Sequence, residues 1–298
     1  MKVKRGCMEL SLEKLPGMGK WLRSLKSQTE TAPAPPVDDL PLTGFEPAGI
    51  PTPNLDLLSD EQLSELNHLV RWYAFTVDSK GRRFGQRANP NKRAIPQEIP
   101  DPRIRLMHDF LNLHDKSVLE VGCFEGIHTI GLCQYAKQVV AVDARLENVA
   151  KATLRAGFYN VSPSFKVADV ERDYELLEGP FDCLFHIGVL YHLADPVAHL
   201  KKITTGIKRG IVLDTHYSTD EKATQSYEVD GKTYRYMPNS EHPERSVFEG
   251  MYDHSKRLPL DDLVGVVKEC GFTKIHALEP REERNGPRVL IIAERELQ

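Results

Sequence analysis

The sequence predicts an α/β fold built on a mostly parallel sheet, and three observations carry that expectation. From Ser117 onward short β-branched runs alternate with helix-length segments. Several of those runs end on Gly, Asp or His, and the chain closes on two strands with no helix between them. Candidate strands are 117–121 (SVLEV), 138–143 (QVVAVD), 164–169 (SFKVAD), 181–187 (FDCLFHI) and 209–215 (RGIVLDT), separated by helical stretches around 126–136, 147–156, 171–177 and 195–206. A polar insertion at about 218–256 holds Asp230-Gly231, a strong hairpin-turn pair. A last helix, LPLDDLVGVVKECGF, ends at Gly271 and precedes TKIHALE and RVLIIAE. These two are joined by PREERNGP, short enough to make them antiparallel neighbours.

Upstream, residues 31–56 carry seven prolines, each fixing φ and removing a donor, so an extended linker or wrapping arm is expected. Before it, LEKLPGMGKWLRSL has the spacing of a short basic amphipathic helix. After it, SDEQLSELNHLVRWYAF reads as a helix capped by Ser59 with Gln62 as its box partner. Its apolar face would be Leu63, Leu66, Leu69, Val70 and Tyr73. A further helix starts at Asp101-Pro102 and buries Ile104, Leu106, Met107, Phe110 and Leu111. The domain reading is an extension at 1–57, a helical lid region at 58–115 and the α/β domain at 116–298.

The 298 residues are 40% hydrophobic and 28% charged with net charge −4, an ordinary soluble composition without the basic excess of a dedicated nucleic-acid binder. Five scattered cysteines without a CxxC pair argue against a disulfide framework or a zinc site. No apolar run approaches a membrane span, and the basic N-terminal segment lacks an apolar core, so no membrane association and a cytoplasmic location are expected. One local basic run, Arg71 to Arg105, holds nine Lys/Arg (among them Arg82, Arg83, Arg87, Lys92 and Arg93) with Trp72, Tyr73 and Phe84 interleaved. A solvated face or a lid is the leading reading of that run; a phosphate-binding surface is the alternative.

In an open parallel sheet, ligands bind beyond the C-terminal strand ends. Four motifs fall there. Glu120-Val121-Gly122-Cys123-Phe124-Glu125-Gly126 is a glycine loop whose backbone N–H groups are expected to face a ligand. Phe124 stands where such loops often carry glycine, and a negative φ is expected there, with the ring at the pocket edge. Asp143, followed by Ala144, is placed to hold a ribose; Asp169, followed by Val170, to accept from a base amine; both equally suit helix capping. Cys123 reads as a small packed residue. The fourth motif is FHIGVLYHLADP, with His186, Gly188, Tyr191 and His192. His192, His216 and His186 are candidate bases in that order, each with the alternative of a hydrogen-bonded wall residue. Tyr191 is either a wall residue or a ligand contact. No metal site is expected, because the histidines and Asp214 lack a ligand spacing.

These motifs, VLEVGCFEGIHT, VVAVDARLENVAKA, KVADVE and FDCLFHIGVLYHLADPVAHLKKI, resemble the first four motifs of class I S-adenosylmethionine-dependent methyltransferases, over about 117–295. The resemblance implies a Rossmann-like seven-stranded sheet with an antiparallel C-terminal hairpin and S-adenosyl-L-methionine as cofactor. It places Glu120 and Gly122 near the methionine moiety, Asp143 at the ribose, Asp169 at the adenine amine and His186–Gly188 along the cofactor. The GVLYH box is similar to that of tRNA wobble-uridine carboxymethyltransferases, where the residue matching Tyr191 reaches the extra carboxylate of carboxy-S-adenosyl-L-methionine. No segment like the Trp-Arg-Lys-Gly-Pro-Phe stretch of those enzymes precedes the core here. The expected activity is therefore methyl transfer to oxygen or nitrogen of a polar small molecule such as a sugar or nucleotide-linked sugar. A tRNA-modifying enzyme and a non-catalytic cofactor-binding module are the alternatives. The N-terminal region and the 218–256 insertion are expected to roof the substrate pocket.

Overall fold

The computed structural model describes residues 41–85, 95–177 and 179–296. The basic helix expected near the N-terminus, and Arg87, Lys92 and Arg93, lie outside the described residues. The elements in chain order are α1 (Asp60–Leu69), β1 (Phe75–Val77), β2 (Arg83–Gly85), α2 (Pro102–Leu111), β3 (Ser117–Val121), α3 (Ile127–Leu132), β4 (Gln138–Asp143), α4 (Leu146–Phe158) and β5 (Ser164–Val167). There follow β6 (Phe181–Ile187), α5 (Pro196–Ile203), β7 (Ile207–His216), β8 (Gln225–Val229), β9 (Lys232–Ser240), β10 (His254–Arg257), α6 (Leu260–Glu269), β11 (Lys274–Glu283) and β12 (Gly286–Glu294).

Seven strands form one sheet in the order β11-β12-β7-β6-β3-β4-β5, parallel except where β12 pairs antiparallel with β7 and β11. The period-2 pattern of the strands sends alternate residues to two cores. Leu119, Val121, Val140, Val142, Leu184, Ile211 and Leu213 pack with α5 and α6. Val118, Val139, Cys183, Phe185 and Val212 pack with Ile104, Met107 and Leu111 of α2. Strand order reverses beside β3, which pairs with β4 on one side and β6 on the other, so Val121 and His186 end side by side. That reversal opens the crevice in which such sheets bind ligands.

The insertion forms a second, three-stranded sheet, β10-β9-β8. Its turn has φ 51° at Asp230 and 76° at Gly231, the two positive values of a type I′ turn. The final hairpin differs from the expected one: β11 and β12 run through most of the PREERNGP stretch and leave only Arg284 and Asn285 as connector.

Ser59 closes the expected capping box with Gln62, but α1 ends at Leu69 instead of continuing through Tyr73, and Leu69 is exposed. The N–H groups of Tyr73 and Ala74 donate to Glu125 at 2.7 and 3.0 Å and so leave the helical ladder. The 58–115 region accordingly contains a β1–β2 hairpin between its two helices. In α2, Ile104, Met107 and Leu111 are buried as expected, whereas Phe110 is exposed.

A buried charge network fastens this region to the glycine loop. Glu125, Lys151 and Arg155 side chains are 0, 1 and 0% exposed, with Arg155 Nη2 3.3 Å and Lys151 Nζ 3.6 Å from the carboxylate. The Arg155 guanidinium lies between Trp72 and Phe84, 4.6 and 4.9 Å from their ring centres.

The solvated-face reading of the basic run fails at Arg82 and Arg83, which are 7% and 3% exposed. Arg82 pairs with Asp78 at 2.8 Å and donates to the Leu55 and Leu58 carbonyls; Arg83 donates to the Gly85 carbonyl. These guanidiniums satisfy buried carbonyls at the end of the proline-rich arm, just after it and in the β1–β2 hairpin, and the same geometry removes them from any phosphate-binding surface. No helix among the described residues is long and apolar enough to cross a membrane.

Candidate active site

Glu120, the fourth residue of β3, is 1% exposed. Its Oε2 accepts from Thr129 Oγ1 of α3 at 2.5 Å, and its Oε1 is buried without a hydrogen-bond partner. Burial, reinforced by the charge of Asp143 and only partly offset by Thr129, pushes this carboxyl up to about 8. A carboxyl raised in the folded state contributes stability that is fully present below its ordinary value of about 4.5 and is lost as pH rises through about 8. Ligand-free Glu120→Gln is therefore expected to lose less stability than the wild type between pH 5 and 9. Urea midpoints across that range check this, and parallel pH profiles for the two proteins would refute it.

In the loop that follows, Gly122 and Gly126 adopt φ 72° and 79°. A Cβ at Gly122 would sit 2.3 Å from Val189 Cγ2, so the loop closes directly onto the β6 strand end. Four of the loop N–H groups, which were expected to face a ligand, are used within the protein. Gly122 and Cys123 both donate to the Val142 carbonyl, Gly126 to the Cys123 carbonyl, and Phe124 to Asp143 Oδ2 at 3.0 Å.

Phe124 corrects a second expectation: its φ is +49°, not negative. The left-handed conformation costs a β-carbon residue about 1–2 kcal/mol. It is offset by the bond to Asp143 and by ring packing, because Phe124 lies 6.1 Å from Tyr73 and 5.2 Å from Phe248, themselves 5.1 Å apart. Tyr73 comes from the N-terminal region and Phe248 from the insertion, so the two regions expected to roof the site meet on this ring. Cys123 is buried, and burial drives its thiol pKa far up, as befits a packed residue and not a nucleophile.

Asp143 is 8% exposed and accepts from Phe124 N–H, Arg145 N–H and Asn148 Nδ2. Burial raises its pKa, against the pull of those three donors. Ala144 is half-buried beside it, and Arg145 reaches the insertion, donating to the Pro243 and Ser246 carbonyls at 3.2 and 3.3 Å. Asp169 Oδ1 caps the N–H of Glu171 at 3.0 Å, and Val170 is buried next to it.

The three histidines part company. His186 is fully buried, and its ring pairs with His199 at 3.0 Å. His199 Nδ1–H donates to the Val170 carbonyl, so His186 Nε2–H donates to His199, and His186 Nδ1 has no partner. Burial, then His199, lowers the His186 pKa well below its ordinary value. It is a wall residue. His216 uses Nδ1 on the Pro287 carbonyl at 3.1 Å, with its pKa lowered by burial. His192 is half-buried, and its Nδ1 lies 2.9 Å from Glu241 Oε2.

Glu241, 1% exposed, also accepts from Gly250 N–H, Ser255 Oγ and Asn239 Nδ2. Burial works against its charge, but its donors, His192 first among them, hold its pKa below the ordinary carboxylate range. Four donors on an ionised carboxylate make His192 Nδ1 the protonated nitrogen and leave Nε2 as the acceptor. His192, Glu241 and Glu249 also bring three potential ligand atoms within 4.8 Å of one another. Here the Glu241 oxygens are already taken by hydrogen bonds.

Tyr191 packs between His192, tilted against it, and His216, edge-on to it, with ring centres 4.2 and 4.7 Å away. Arg257 and Arg288 lie over its ring at 5.7 and 5.8 Å. Gly188 has φ 75°, and a Cβ there would lie 3.6 Å from Arg288 Nη2 and 3.9 Å from the Tyr191 hydroxyl. Glu241, Arg145, Arg257 and Arg288 were not singled out from sequence. Arg145 lies within VVAVDARLENVAKA and the other three lie outside the motifs, and only the fold brings the four to the strand ends.

Strand order, the antiparallel final hairpin and the four loops at the strand ends define the class: the chain has the class I S-adenosylmethionine-dependent methyltransferase fold. Residues 119–213 match the family model described as a methyltransferase domain. The chain is 29% identical over 118 residues to the tRNA U34 carboxymethyltransferase of Campylobacter curvus (strain 525.92), covering 39% of each. With that of Sulfurimonas denitrificans it shares 30% identity over 141 residues, 46% of each. It thus spans less than half the length of these relatives. The crystal structure of the N-terminal domain of EvdMO1 with SAH bound is similar in fold, with a TM-score of 0.64 at 24% identity over 80% of this chain and 95% of that one.

Proposed function

We propose that the protein is a methyltransferase that uses S-adenosyl-L-methionine and methylates an oxygen or nitrogen of a polar small molecule. The observation that carries this is the unpartnered, buried Glu120 Oε1 on β3, between β6 and the strand that ends on Asp143, at the point where sheet order reverses. An ammonium group would satisfy Glu120 and offset the burial penalty on its charge; Asp143 would hold the ribose hydroxyls and Asp169 the adenine amine. Bound there, S-adenosyl-L-methionine supplies a sulfonium methyl group activated for displacement.

His192 Nε2 would take the proton released by an acceptor hydroxyl, while Glu241 holds the imidazole tautomer; the thioether left when the methyl departs is S-adenosylhomocysteine. Most of the acceleration comes from holding the two reactants in line and dry. The burial of Arg82 and Arg83 supports a small acceptor over a nucleic acid.

A second reading, a tRNA wobble-uridine enzyme using the carboxylated cofactor, is favoured by the curated relatives and by the arginine-flanked Tyr191 beside Gly188. Calorimetry separates these. S-adenosylhomocysteine is expected to bind, and Asp143→Ala to weaken it about a hundredfold, the worth of two hydrogen bonds to a charged acceptor. A strong preference for the carboxylated analogue would promote the tRNA reading. No binding of either compound would end the methyltransferase reading, and binding without turnover on any acceptor would leave a cofactor-binding module.

A further inference from the structure

We infer that the Arg257 guanidinium beside Tyr191 forms an anion subsite, and that the acceptor carries a carboxylate or phosphate group seated there. This deepens the methyltransferase reading and rests on it.

The guanidiniums around Tyr191 are not equally partnered. Asp214, 0% exposed, takes Arg103, Arg281 and Arg288. Arg103 also pairs with Asp101, and Arg281 and Arg288 with Glu283. Three guanidiniums are thus met by three carboxylates. Arg257 is the fourth, and among the described residues no carboxylate lies within 4.0 Å of it. Its Nε is buried with no hydrogen-bond partner, and its Nη1 reaches only the Asn285 carbonyl at 3.4 Å. A buried, unsatisfied donor on a charged group costs more than a neutral one, so the free protein holds this edge at a disadvantage that an anion removes. The planar fork of arginine suits a carboxylate or phosphate in two-point contact.

Position fits an acceptor group. Arg257 ends β10 and comes from the insertion, with its guanidinium 5.7 Å from the Tyr191 ring. Tyr191 in turn touches His192 and reaches Gly188, where β6 opens into the crevice. The subsite thus lies one ring away from the proposed base, His192, on its Tyr191 side.

The test uses the full chain saturated with S-adenosylhomocysteine and titrated with inorganic phosphate, D-glucuronate and, as the neutral control, D-glucose, followed by amide chemical shifts. Saturable binding of phosphate and glucuronate but not glucose is expected, weakened about tenfold in Arg257→Gln. Arg257→Gln should bind S-adenosylhomocysteine within about twofold of wild type, which shows that it folds. Equal anion binding by wild type and variant, or none by wild type, would overturn the subsite. Loss in Arg257→Gln of affinity for the carboxylated cofactor alone would assign the anion to the donor and overturn the acceptor assignment. Failure of the wild type to bind S-adenosylhomocysteine would instead strike the methyltransferase reading itself.

Discussion

Glu125→Ala is expected to lose about 3–5 kcal/mol of stability, the cost of stranding a buried charge. The carboxylate accepts from two backbone N–H groups, Tyr73 and Ala74, and faces Arg155 and Lys151 inside the protein. Without it, Arg155 keeps only carbonyls and Thr76 as partners between two aromatic faces, with nothing to balance its charge. Lys151 is better placed, because Glu147 also reaches it at 2.5 Å. The damage should therefore centre on the contact between the 72–85 segment and the glycine loop. Urea unfolding measures the size of the effect, and hydrogen exchange at Tyr73 and Ala74 its place. A loss below about 1 kcal/mol would mean that solvent reaches Arg155 and that the network is not closed. Glu125→Gln, which keeps one acceptor oxygen but not the charge, should fall between wild type and Glu125→Ala.

The same network marks the boundary of what the sequence discloses. Strand ends were legible because their signals are local: β-branched runs ending in Gly122, Asp143, Asp169 and Gly188 are short-range patterns. The end of α1 was not, since the apolar spacing runs on through Tyr73 while a carboxylate fifty-two residues away claims its N–H. Phe124 failed for a similar reason. Local preference favours a negative φ, but Asp143, nineteen residues on, takes the Phe124 N–H, and two aromatic rings from distant segments take its side chain. Arg82 and Arg83 looked like a solvated face because charge is visible in a sequence and the carbonyls that absorb it are not. The partner of His192 was illegible altogether. Glu241 lies forty-nine residues away in an insertion whose only clear sequence signal is its turn.

That pairing carries the largest expected effect on activity. In the proposed reaction, His192→Ala should lower methyl transfer to a hydroxyl acceptor by about 10²–10⁴-fold, the usual worth of a positioned base, and leave S-adenosylhomocysteine affinity nearly unchanged. Glu241→Gln is the more searching variant. Besides Glu249, Glu241 has four partners, His192, Gly250, Ser255 and Asn239, and each of these presents a proton to it. An amide must turn its own N–H₂ toward two of them. If it faces His192, the imidazole is driven to the other tautomer, Nε2 carries the proton, and the base is lost. If it faces Ser255 and Asn239, the tautomer survives while two donors are left in conflict, costing about 1–3 kcal/mol of stability. Nitrogen-15 shifts of the His192 ring distinguish these outcomes directly, and the first should accompany most of the loss in rate. Rate and tautomer unchanged in Glu241→Gln would remove Glu241 from the mechanism. A fall of less than about tenfold in His192→Ala would point to an acceptor, such as a neutral amine, whose proton can leave after methyl transfer without a positioned base.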